Sequence, residues 1–182
     1  MKKSYDYFKT LKLLSEITSE IYKKSASEVD FSPDRILFLA EKSELLNSLR
    51  NEFITPLERG DIFFLAECLT EEVNSIYSLY GYSSLINQMK FDSFEESFNS
   101  QTLIFNKLKD FKSNLKLFEQ CSQEAGRLGL QKKKFEEQAV NALKINNGQG
   151  LKKYAVCSAF LTLNNSIYKT IIQIERILID NS

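Results

Sequence analysis

Residues 53–76, FITPLERGDIFFLAECLTEEVNSI, hold one of only two prolines in the 182-residue chain and its sharpest helix start. Thr55 followed by Glu58 has capping-box spacing, and Pro56 stands at a first helical position, where a missing N–H costs nothing. Behind it, Ile62, Leu65, Leu69, Val73, Ile76 and Tyr80 recur at steps of three and four. That period predicts an amphipathic helix with one apolar stripe against a core. Glu58, Asp61, Glu67, Glu71 and Glu72 fall on the opposite face. The pattern carries the helix past Gly81 towards Gln88, with Gly81 as a kink or an end.

Working outward, a first helix is predicted over residues 5–27, with Phe8, Leu11, Leu14 (or Ser15), Ile17 and Ile21 facing inward. Ser32 caps a second, with Pro33 and Asp34 in its first turn and Ile36, Leu39, Leu46, Leu49 and Phe53 as its inner positions. Residues 90–93 read as a turn capped by Asp92 or Ser93. Phe98, Thr102, Phe105 and Leu108 mark a fourth helix. Leu117, Cys121, Leu128, Phe135 and Leu143 mark a fifth over about residues 113–143; the apolar period barely falters at 110–114, which leaves open whether the two helices break there. Residues 146–150, NNGQG, form the clearest loop. Val156, Phe160, Leu163, Ile167, Ile171, Ile174 and Leu178 give the last helix. The expectation is an all-α, six-helix single domain over residues 1–182. Its layout suggests two three-helix repeats, 1–89 and 93–182, which must pack together because ninety residues bury little core alone.

Composition removes many functions. The 24 basic and 24 acidic residues cancel, so no net field points to nucleic acid. Histidine is absent, which rules out Ser-His-Asp and Cys-His pairs, HExxH zinc sites and Glu-x-x-His di-iron sites. Cys68, Cys121 and Cys157 are far apart and lack metal-type spacing, as reduced cytoplasmic thiols would. No apolar run of membrane-spanning length and no signal-peptide pattern occurs.

Four features bear on binding. Glu67 and Glu71 share a helix face and could reach a hard cation, although such acidic faces are usually solvated. Lys132, Lys133 and Lys134, flanked by Arg127 and followed by Glu136 and Glu137, could meet phosphate or lipid headgroups, but read better as helix surface. Arg59-Gly60-Asp61 spells an integrin signal and is taken as coincidence inside a helix. The fourteen Phe and eight Tyr fall mostly on inner stripes and read as packing.

FITPLERGDI, residues 53–62, resembles the FITPIEREDI-type signature of PhoU-related phosphate-transport regulators, which are encoded beside Pit-type inorganic phosphate transporters. The resemblance extends to Asp6-Tyr7-Phe8, to Leu65-Ala66, and to Ile174-Glu175-Arg176-Ile177. It implies a PhoU-like fold of two three-helix bundles. It also implies a non-enzymatic protein that modulates phosphate uptake by contact with a transporter or signalling protein. Thr55, Pro56, Glu58, Arg59 and Asp61 are the signature positions expected to serve interaction.

Many members of that family bind metal clusters through acidic helix motifs, and here the motif positions depart. They fall on Thr70, Glu71 and Asn74 in the third helix, near Gly129, Gln131 and Lys133 in the fifth, on Leu161, Asn165 and Tyr168 in the last, and on Arg35 and Leu39 in the second. Glu71, with Asn74 beside it, is the residual candidate, and one carboxylate cannot hold a multivalent cation. The expectation is a divergent, metal-free cytoplasmic adaptor without cofactor. Its membrane contact would come only through a partner, and its homo-oligomeric state is open. The alternative is a helical scaffold or oligomerisation module that has kept the fold and lost the phosphate role.

Overall fold

The computed structural model describes residues 5–52, 54–86, 93–113, 115–145 and 147–181. Six long helices occupy them: α1 (Tyr7–Ala26), α2 (Ser32–Asn51), α3 (Arg59–Tyr80), α4 (Glu95–Lys107), α5 (Leu115–Leu143) and α6 (Gly148–Asp180). A one-turn helix, Ser83–Ile86, follows α3, and a 3₁₀ segment, Leu108–Ser113, joins α4 to α5. No strand occurs among the described residues, so the all-α class holds.

Five helices close a ring around the core. α1 packs on α3, α3 on α6, α6 on α5, α5 on α4, and α4 back on α1. α2 stands outside this ring, laid mainly along α1. One hydrophobic cluster contains residues from all six long helices. Phe94, Phe135 and Phe160 meet within it, with ring centroids 5.3 to 5.8 Å apart.

The last helix follows its stripe completely: Val156, Phe160, Leu163, Ile167, Ile171, Ile174 and Leu178 are all buried. α1 is capped by Asp6, whose carboxylate accepts from the Lys9 amide at 3.1 Å. It ends in a Schellman turn, with Val29 N–H on the Lys24 carbonyl and Glu28 N–H on that of Ser25. Glu28 occupies the left-handed position (φ 56°) usually held by glycine.

Elsewhere the structure corrects the reading. α3 starts at Arg59 without a side-chain cap, so the capping box does not form. Thr55 Oγ1 instead donates to the Leu57 carbonyl at 2.6 Å, and Pro56 lies in the approach to the helix. α3 ends at Tyr80, which is exposed, and the expected extension towards Gln88 runs outside the described residues. In α2 the expected inner positions hold at Leu49, which is buried, and at Leu46, which packs against the core, but not at Ile36 and Leu39, which are 69% and 51% exposed while Phe38 and Leu45 point inward. The four consecutive apolar residues 36–39 carry no period, and the true stripe runs through Lys42, whose stem lies along the bundle while its ammonium meets Glu67 at 2.8 Å. Phe53 lies outside the described residues, as does Asp92. Leu143 is exposed, and Ala139 and Ala142 take the inner positions at the end of α5. Several aromatics assigned to packing, among them Phe63, Phe64 and Tyr77, are solvent-facing.

Asn146 lies outside the described residues, and the rest of the NNGQG segment is a helix start. Asn147 caps α6, its Oδ1 accepting from the amides of Gln149 and Gly150 at 3.0 Å each. Asn147→Ala is expected to remove about 1 kcal/mol of stability in urea melts, while Asn147→Asp keeps the wild-type midpoint.

Candidate functional site

A seam of polar side chains runs between α3 and α6, inside the ring. Gln173 Nε2 donates to Asp61 Oδ1 at 3.2 Å, and Ser166 Oγ lies 3.5 Å from Ser75 Oγ. Between them sits Glu72, whose side chain has no exposure at all. Gln101, from α4, donates through Nε2 to both carboxylate oxygens, at 3.2 and 2.9 Å, and Thr170 Oγ1 donates to Oε1. Three helices thus converge on one carboxyl group.

No cation faces it. Lys169, on the same seam, is bound to both oxygens of Glu71 at 2.8 Å on the surface. Burial raises the Glu72 carboxyl to about 7, against the downward pull of Thr170 and Gln101. Burial likewise raises Asp61, reinforced by Glu58, and holds the Cys68 thiol up at about 11. Gln101 Oε1 has no hydrogen-bond partner. A protonated Glu72 could donate to it only after an amide flip, which would turn Gln101 Nε2 away from the carboxyl, so one Gln101 group lacks a partner in either protonation state. With no exposure, the carboxyl cannot act on a solvent-borne substrate. What it can do is tie the packing of α3, α4 and α6 to proton uptake near neutral pH.

The sequence reading placed Glu72 and Asp61 on the solvated face, and both are buried. The signal for Glu72 was present: it lies three residues after Leu69 and four before Ile76, inside the stripe. Asp61's burial also takes the Arg-Gly-Asp carboxylate out of reach of a receptor.

The signature positions surround the start of α3. Pro56 and Glu58 are exposed, as is Arg59, whose guanidinium donates to the Glu52 carbonyl; Leu57 anchors the segment in the core.

The residues at the metal-motif positions do not fit a cation cluster. Thr70 Oγ1 donates to the Ala66 carbonyl at 2.7 Å. Glu71 is committed to Lys169, and Asn74 is exposed. The Arg35 guanidinium stacks 4.7 Å from the Tyr77 ring centroid, and Leu39 faces solvent. Gln131 is buried, Gly129 and Leu161 are half-buried, and Lys133, Asn165 and Tyr168 are exposed. Among the described residues no three Cys, Asp or Glu side chains gather where an ion could sit.

The lysine run is surface, as read: Lys132 reaches Glu136 at 3.9 Å. Arg127 behaves differently. It pairs with buried Glu124 (Nη2–Oε1 2.5 Å) and donates to Ser97, which pins α5 to α4. The three cysteines are free, buried and separate.

No protein-family model matches the chain, and no curated protein matches it in sequence.

Proposed function

We propose that the chain is a PhoU-like, non-enzymatic cytoplasmic adaptor that regulates inorganic phosphate transport by protein–protein contact, without a resident metal. The carrying observation is the signature segment. Residues 54–59 present Ile54, Pro56, Glu58 and Arg59 to solvent, while Leu57, Thr55 and the Arg59–Glu52 contact hold the backbone in one shape. A pre-shaped, mixed-charge surface loop suits recognition of a protein partner, because little ordering entropy is lost on binding. The neutral, apolar or basic character of nearly all the motif positions supports the metal-free part of the reading.

Co-expression with the Pit-type transporter of the same genome, followed by affinity capture, tests it. Capture is expected, and Glu58→Lys combined with Arg59→Glu is expected to weaken it at least about tenfold. Failure of the unaltered chain to be captured would overturn the adaptor reading. Stoichiometric iron or zinc in the purified protein would overturn the metal-free part. The scaffold alternative predicts self-association with no transporter capture.

A further inference from the structure

The α5–α6 hairpin ends in a tip that this functional reading does not use. Gly150 lies against the carbonyls of Ala142 and Ile145, so the two helices turn with almost no gap. Around the turn the apolar residues are outside: Val140, Leu143 and Leu151 are 55%, 53% and 65% exposed, and Ile145 and Tyr154 are also solvent-facing. Val140 and Leu143 each follow a buried alanine by one residue, and Leu151 follows buried Gly150. In an antiparallel pair of right-handed helices, the position one past the contact lies on the same flank of both. These side chains therefore share one side of the tip.

The charge there is one-sided. From Gln138 to Gln173 the chain has four lysines and no acidic residue, although the whole sequence is balanced. Three of them, Lys144, Lys152 and Lys153, flank the apolar residues, and among the described residues Lys144 Nζ meets only the neutral Asn141 amide, at 3.2 Å. α4 begins level with Phe135 and Phe160, and Gly148 lies twelve residues, about 18 Å of helix, beyond Phe160.

From this we infer that the hairpin tip docks directly onto an anionic lipid surface. The apolar flank enters the headgroup boundary, Tyr154 lies at the interface, and the lysines meet lipid phosphates. A protein partner of the same size would be expected to place carboxylates against these lysines. A bilayer offers both anionic charge and an apolar layer, which is the pairing this tip displays. The contact is additional to any transporter contact and needs no partner.

Sedimentation of the purified full chain with vesicles tests the inference without the transporter. Binding is expected to phosphatidylcholine vesicles containing phosphatidylglycerol, weaker binding to phosphatidylcholine alone, and loss in high salt. Lys152→Gln with Lys153→Gln is expected to reduce partitioning about fivefold per lysine. Leu151→Asp is expected to reduce it at least about tenfold. Leu151 is exposed in a helix first turn, where an added carboxylate favours the helix, so folding should survive and a thermal melt checks it. Ile36→Asp, on the exposed face of α2, should leave partitioning unchanged. No sedimentation with anionic vesicles overturns the inference. So does binding that Ile36→Asp abolishes and the tip variants spare. A tip that instead pairs two copies of the chain, seen as a Leu151-dependent dimer with no vesicle binding, also overturns it.

Discussion

Glu72→Gln is expected to give a protein more stable than the wild type at pH 8, with the gap closing towards pH 5. The carboxyl titrates near 7 when folded and near 4.5 when unfolded, because burial disfavours its charge. Between those values the folded chain keeps a proton that the unfolded chain has released. Wild-type stability therefore falls as pH rises through this window, by up to about 1.4 kcal/mol per pH unit, and levels off above about 7. The full span is about 3 kcal/mol.

Glutamine has no charge to bury, and its amide can donate to Gln101 Oε1, which now lacks a partner. The groups facing the site do not reverse the sign. Cys68 stays a neutral thiol, Glu71 repels, and Lys169 is held by Glu71. Urea melts of both proteins from pH 5 to pH 8 measure the effect. A wild type with flat stability across that range, or a glutamine variant less stable at pH 8, would show that the carboxyl is hydrated or paired in solution.

Gly150→Ala is expected to be the most damaging single methyl addition in the chain. A Cβ there would lie 2.1 Å from the Ile145 carbonyl oxygen and 2.7 Å from that of Ala142, both backbone atoms that cannot swing away. The α5–α6 turn must open, disturbing the most extensive helix pair in the fold. A loss of about 3 kcal/mol is expected, which for a chain of this size lowers Tm by about 6–12 °C. Gly148→Ala is the matched control. Nothing lies within 4 Å of its added methyl, so Tm should stay level or rise slightly. Equal effects at the two positions would contradict the close approach.

The helices that were legible are those with a single clean stripe. In α6 seven apolar residues at helical spacing are all buried, and in α3 Ile62, Leu65, Leu69, Val73 and Ile76 are too. α2 was legible as a helix and in the facing of Leu46 and Leu49, but not in that of its first turns. Its apolar residues cluster at 36–39, and a lysine stem fills the core-facing row. The polar centre was misread for a different reason. Glu72 satisfies the spacing of the inner stripe, but its residue type argues for water, and only its partners decide between the two. Those partners lie 29 and 98 residues away, on helices whose mutual positions no local pattern specifies.

Local chemistry alone determined that this chain is helical and which faces of α1, α3 and α6 are oily. These follow from hydrogen bonds and side-chain rows within a few residues of one another. The ring order, the exile of α2, the buried carboxyl and the tight turn at Gly150 were decided only in three dimensions. Each depends on which atoms of distant helices come within contact distance, because desolvation and steric exclusion act on the assembled neighbourhood and not on the residue itself.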